Sequence, residues 1–143
     1  MRVMVMIEST PQAEEQEPPG TEVLEAMSAY NDRLIKAGVM LDGQGLKPTS
    51  TGARVIFDRG TTSVVDGPFT ESKEVIAGYW IWQVGSMDEA IEWAKQCPAN
   101  AADEAQLELR PIFEEEDFGE SLTPELKEKQ RAMAAEIDAR SSN

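Results

Sequence analysis

The period of the apolar positions changes several times along the chain, and each change predicts an element. Arg2 to Ile7 is a short, Val-rich apolar run, the pattern of a strand buried on both faces. Pro11 to Gly20 is acidic and Pro-rich and reads as a polar loop. From Thr21 to Ala37, Val23, Met27, Tyr30 and Leu34 recur at helical spacing, and Gly38 ends that helix. Val39 to Leu46 is a second strand, loosened by Gly43 and Gly45 and stopped by Lys47-Pro48. Ala53 to Asp58 and Thr62 to Asp66 flank Asp58-Arg59-Gly60-Thr61 and predict a β-hairpin, with a turn at Asp66-Gly67-Pro68. Ala77 to Val84 is the strongest strand, with Tyr79, Ile81 and Gln83 on one side and Trp80, Trp82 and Val84 on the other.

Ser86-Met87-Asp88-Glu89 is a capping box opening a helix that stops at Cys97-Pro98. Gln106 to Ile112 alternates polar with apolar as a last core strand. The run Glu114 to Asp117, then Gly119 and Ser121 to Pro124, reads as a solvated linker. Thr123 with Pro124 then opens a terminal helix to about Arg140. The order β-α-β, hairpin, β-α-β implies an α+β ferredoxin-like sandwich over residues 1–113, with an inserted hairpin. Residues 114–143 form an acidic linker and a C-terminal helical extension. Two helices cover one face of such a sheet. Trp80 or Trp82 is expected on the other, where a second copy would shield it, so a homodimer follows.

Composition narrows the chemistry. Among 143 residues, 13 basic and 27 acidic side chains give a net charge of −14, which disfavours nucleic acid and anionic membranes as partners. Histidine is absent, excluding Ser–His–Asp triads, Cys–His dyads and imidazole metal ligands. The single cysteine, Cys97, excludes an internal disulfide and multi-thiolate metal sites. It is placed at a helix C-terminus, where the dipole raises a thiol pKa, so a nucleophile there is not expected. No P-loop or dinucleotide fingerprint is present, and no cofactor or dedicated metal site is expected. The apolar run at the N-terminus is too short for an export signal, and no segment is long enough to span a membrane, so a cytoplasmic location is expected.

The stretch Asp66-Gly67-Pro68-Phe69-Thr70-Glu71-Ser72-Lys73-Glu74, followed by Gly78-Tyr79, resembles the signature of the DGPF-domain branch of the YciI-like (YCII-related) family. The opening strand, Ala37-Gly38-Val39, Gly45-Leu46-Lys47-Pro48, Met87-Asp88-Glu89-Ala90, Cys97-Pro98 and Glu108-Leu109-Arg110-Pro111 agree with it over about residues 1–113. The resemblance implies a dimeric α+β barrel with a cleft near the subunit interface. It also implies, for some members, a regulatory link to extracytoplasmic-function sigma factors. The wider family can pair a histidine with an aspartate as acid and base. Only the aspartate side carries over here, by motif position to Asp66.

Each candidate residue has a structural and a chemical reading. Asp66 either fixes an Asx-turn at the hairpin exit or acts as a general base, which would need burial to raise its pKa. Lys73 either locks the loop by pairing with Asp66 or Glu71, or stabilises an enolate or phenolate oxygen. Arg110 either pairs with an acid or clamps a ligand carboxylate. Glu8 ends the first strand towards the same cleft, and Glu74 flanks Lys73. Tyr79 with Trp80 and Trp82 lines either an aromatic pocket or the packing core. Two functions remain open. One is a cofactor-independent enzyme or binder for a small oxygenated or aromatic molecule, working by proton transfer, isomerisation or elimination. The other is a non-catalytic regulatory dimer acting on a protein partner, a sigma factor foremost, through its acidic surface or terminal helix.

Overall fold

The computed structural model of the chain describes residues 1–15, 18–69, 74–98 and 105–142. They form two compact units, Met1–Pro111 and Ile112–Asn143. In the first, strands β1 (Arg2–Glu8), β2 (Met40–Gly45), β5 (Ile76–Gln83) and β6 (Leu107–Pro111) build one antiparallel sheet in the order β2-β5-β1-β6. Strands β3 (Ala53–Asp58) and β4 (Thr61–Asp66) form a separate two-stranded hairpin. Helices α1 (Pro11–Glu14), α2 (Thr21–Lys36) and α3 (Met87–Ala94) complete the unit.

The β1–β5 register decides which side chains become core. Val3 lies opposite Trp82 and Val5 opposite Trp80, and all four are buried with Tyr30 and Leu34 of α2 and Ala90 of α3. Both tryptophans therefore face the helices of their own chain, not a second copy. The expectation of a solvent-facing tryptophan is corrected by this pairing, because the alternation of β5 puts its bulkiest residues where two helices can cover them. Fully burying a side chain such as Leu34 or Val5 contributes roughly 1.5–3 kcal/mol. Trp80 stands edge-on to Tyr30, ring centroids 6.0 Å apart, and its Nε1–H donates to Asn31 Oδ1 at 2.9 Å. The opposite sheet face carries Met4, Met6, Tyr79 and Ile81, half-buried at its centre, with Glu108 and Arg110 exposed on β6.

Local signals explain most element ends. Gly38, at φ +74, takes the left-handed conformation that closes α2, and its N–H reaches the Ile35 carbonyl. Ser86 caps α3 by accepting from the Glu89 N–H at 3.1 Å, while Glu89 Oε2 accepts from Gly85 N–H, one residue earlier than a reciprocal box requires. Arg59 and Gly60 both have positive φ, which makes the hairpin a two-residue primed turn matched to the twist of β3 and β4. The stretch read as a polar loop from Pro11 contains α1 instead. Thr10 caps it, its hydroxyl accepting from Ala13 N–H at 3.1 Å, and Pro11 takes the first helical position.

The second unit holds a 3₁₀ segment, Glu115–Ser121, and helix α4 (Pro124–Ser141). The acidic run is thus not a bare connector. Glu114 and Asp117 cap each other's backbone, and Glu115 holds Arg131 through two hydrogen bonds of 2.9 and 2.8 Å. Thr123 caps α4 as its sequence predicts, accepting from Leu126 N–H. No described helix is long and apolar enough to cross a membrane.

Candidate functional site

One end of the main sheet gathers a set of polar side chains. There β1 runs out through Glu8 and Ser9, β5 begins at Ile76, and the chain from β2 turns through Lys47-Pro48. Backbone bonds tie these exits together: Ser9 N–H to the Val75 carbonyl at 2.9 Å, and Leu46 N–H to the Ala77 carbonyl at 2.8 Å. The short α1 presents Glu14 to this junction. Its carboxylate accepts from the Thr49 N–H at 3.3 Å, from the Thr49 hydroxyl, and from the Ser9 hydroxyl at 3.3 Å. Thr49 Oγ1 in turn accepts from Phe69 N–H at 3.1 Å. A chain of polar contacts thus runs from β1 through Glu14 and Thr49 to the turn that follows β4.

That turn is held from three sides. Gly67 N–H donates to the Gly52 carbonyl at 3.0 Å and closes the hairpin base. A side chain at Gly67 is sterically forbidden, since its Cβ would fall 1.7 Å from the Thr49 carbonyl oxygen. The Arg54 guanidinium lies over the Phe69 ring, 3.8 Å from its centroid, a cation–π contact that fixes the far side of the turn. Asp66, opposite Ala53 on the hairpin, enters this fixed turn with its side chain exposed. The described residues of its own chain do not bury it.

The other sequence candidates distribute unevenly. Glu8 is half-buried at the same end of the sheet, its N–H bonded to the Gln106 carbonyl. Glu74 is exposed just ahead of β5. Tyr79 and Arg110 share the sheet face turned away from α2 and α3, opposite Met6 and Met4 of β1 respectively. Lys73, with Thr70, Glu71 and Ser72, lies outside the described residues. Ser9, Glu14 and Thr49 were not singled out by the sequence reading. The signal for them is Thr10-Pro11 followed by Glu14, a helix start that delivers a carboxylate one turn later.

The groups whose pKa values burial raises lie elsewhere, in the core. Burial pushes the Tyr30 phenol well above its ordinary range, and the nearby Cys97 adds to the rise; its hydroxyl donates to the Trp93 carbonyl at 2.8 Å. Burial also pushes the Cys97 thiol up, which makes it a packing residue. A shallow groove of about 300 Å³ between α3 and β6 is lined by Ile91, Ala94, Lys95, Cys97, Ala105, Leu107 and Leu109, and contains none of the candidate site residues. Among the described residues, no cluster of three or more Cys, Asp or Glu is placed to hold a metal ion.

Comparison with known proteins identifies the family. A solved structure similar to the chain is 5-chloro-2-hydroxyhydroquinone dehydrochlorinase from Burkholderia phenoliruptrix AC1100, in complex with 2,5-dihydroxybenzoquinone. It is 19% identical, with a TM-score of 0.44 over 80% of this chain and 96% of that one. An uncharacterized protein of Rhizobium meliloti (strain 1021) is 31% identical over 90 residues, covering 63% of this chain and 73% of that protein. The YCII-related domain matches residues 1–116, and the chain belongs to the family defined by that domain.

Proposed function

We propose that the chain is a small-molecule-binding protein of the DGPF branch, able to act as a cofactor-independent acid–base enzyme, with its site at the Asp66 turn. The observation that carries this reading is the Glu14–Thr49–Phe69 network. A hairpin exit needs one backbone bond to close, yet here helix α1 and the Ser9 and Thr49 hydroxyls converge to hold a carboxylate-bearing turn still. Fixed polar groups of this kind are what a ligand site requires. In this reading Asp66 is the base, and Lys73 and Arg110 hold a developing or resident anion. Glu8, Glu74 and Tyr79 border the ligand. Proton transfer, isomerisation or elimination on a small oxygenated or aromatic compound matches these groups.

The antiparallel order β2-β5-β1-β6 supports a ferredoxin-like reading of residues 1–113, to which residues 114–143 are appended. The apolar centre of the sheet face turned away from α2 and α3 supports a homodimer, with the site beside its interface. A cytoplasmic setting accords with an unpaired thiol.

The test is a thermal-shift screen of hydroxylated aromatics and small carboxylic acids against the wild type and Asp66→Asn. Compounds that stabilise the wild type and lose about tenfold or more in affinity in the variant support the reading. Hits indifferent to Asp66→Asn refute it. A regulatory dimer acting on a sigma factor predicts a different outcome, with no ligand at this turn and partner binding that depends on residues 119–143.

A further inference from the structure

The sequence contains two Asp–Gly dipeptides, Asp42-Gly43 on β2 and Asp66-Gly67 at the hairpin exit. Such a dipeptide has a chemistry of its own. The glycine amide nitrogen can attack the aspartate side-chain carbon and close a five-membered ring, and glycine has no side chain to hinder the approach. Attack requires the nitrogen to lie beside the carboxyl group and to be free to turn towards it. The fold grants this at one dipeptide and denies it at the other.

Strand β2 lies at the edge of the sheet. Leu46 N–H donates to the Ala77 carbonyl, and in the same register Gln44 lies opposite Tyr79 and Gly43 opposite Trp80. Antiparallel ladders bond at alternate pairs, so Leu46 and Gln44 aim their amides at β5 while Gly43 aims its amide at the open edge. There it meets its neighbour's side chain, with the nitrogen 2.8 Å from Asp42 Oδ1. Gln44 Nε2–H donates to the same oxygen at 3.4 Å, which places a donor where negative charge develops on attack.

At Asp66-Gly67 the amide is committed elsewhere. Gly67 N–H donates to the Gly52 carbonyl at 3.0 Å. The Thr49 carbonyl oxygen fills the space a Cβ at Gly67 would take, so this peptide cannot rotate towards the Asp66 carboxylate.

We infer that Asp42-Gly43 is a site of spontaneous aspartate isomerisation in the folded chain, whereas Asp66-Gly67 is protected. The Gly43 nitrogen forms a bond to Asp42 Cγ and gives up its proton. The Cγ–OH bond of the protonated carboxyl breaks, and that hydroxyl leaves as water. A second water then opens the succinimide. Opening at the backbone carbonyl routes the chain through Cβ and Cγ as isoaspartate, and opening at Cγ restores aspartate. The overall change consumes no oxidant or reductant and leaves the mass of the chain unaltered. The isoaspartyl link adds a methylene to the backbone of β2 ahead of Leu46, Lys47 and Pro48, and so displaces Thr49 from its place beside Glu14 and Phe69.

The experiment ages the full chain at physiological temperature and pH in heavy-oxygen water. Digested peptides are sequenced by electron-transfer dissociation, which separates isoaspartate from aspartate, and heavy oxygen marks the carboxyl made by ring opening. Labelled isoaspartate should accumulate at residue 42 about tenfold or more faster than at residue 66. Chain aged in concentrated urea should isomerise at both dipeptides at similar rates, because the geometry that separates them is gone. No isoaspartate at residue 42 in the folded chain, or as much at residue 66, overturns the inference. The same preference for residue 42 in urea also overturns it, by assigning the difference to sequence instead of fold. A Thr49 amide resonance displaced in the isoaspartyl fraction supports the reach to the Asp66 turn, and an unmoved one overturns that reach.

Discussion

At the scale of single residues, two buried indoles make opposite demands. Trp80 donates to Asn31, whereas the buried Trp82 Nε1–H has no hydrogen-bond partner among the described residues. Phenylalanine at either position sacrifices volume, but only Trp80→Phe breaks a hydrogen bond, and Trp82→Phe removes an unsatisfied donor. Urea denaturation should therefore show Trp80→Phe to be the costlier change, by about 1 kcal/mol. Gly67 is decided by sterics. Gly67→Ala drives a methyl into the Thr49 carbonyl and should cost about 1–3 kcal/mol, with the Thr49 and Phe69 amide resonances displaced in NMR spectra. The Asp-Gly-Pro turn was legible as a turn. The need for glycine was not, because the oxygen it avoids lies on a distant segment. Glu14 was missed for a simpler reason: Thr10-Pro11 carries the same start signal as Thr123-Pro124, but it was masked by the acidic, Pro-rich residues that follow.

At the scale of elements, period and punctuation located every strand of the main sheet and helices α2 and α4 to within a residue or two, and the start of α3, which ends at Ala94, three residues before Cys97. The facing of β5 was not legible, since alternation separates two sides without saying which meets the helices. Packing of α2 on α3 has a pH signature. Burial raises the Tyr30 pKa above its ordinary 10.0 and the Cys97 pKa above its ordinary 9.0, so the folded chain holds both protons more tightly than the unfolded one. The stabilisation is complete at neutral pH and is lost as pH climbs past 9 for the thiol and past 10 for the phenol. Tyr30→Phe should cost about 1 kcal/mol at neutral pH through the lost bond to Trp93. It should also flatten the fall in stability above pH 10, read from denaturation midpoints across an alkaline series. Removing the α3 cap with Ser86→Ala should cost about 1 kcal/mol in the same assay.

At the scale of the whole molecule, a net charge of −14 opposes the homodimer proposed above. Salt should resolve the contest: raising ionic strength from about 0.01 to 0.15 M shortens the screening length from about 30 to 8 Å and should tighten the dimer in sedimentation equilibrium. An interface held mainly by ion pairs would loosen instead. The site was only partly legible. Asp66 and its turn came from a contiguous motif, while Thr49 lies 35 residues from Glu14 and meets it and Ser9 only when β1, β2 and β5 end together. The most direct measurement follows the backbone amides by NMR while a compound from the thermal-shift screen is titrated in. A ligand held at the Asp66 turn displaces the Ser9, Thr49, Gly67 and Phe69 amides together, and Asp66→Asn abolishes those displacements while the fold persists. Displacements confined to the α3–β6 groove, or unchanged in the variant, would contradict the account.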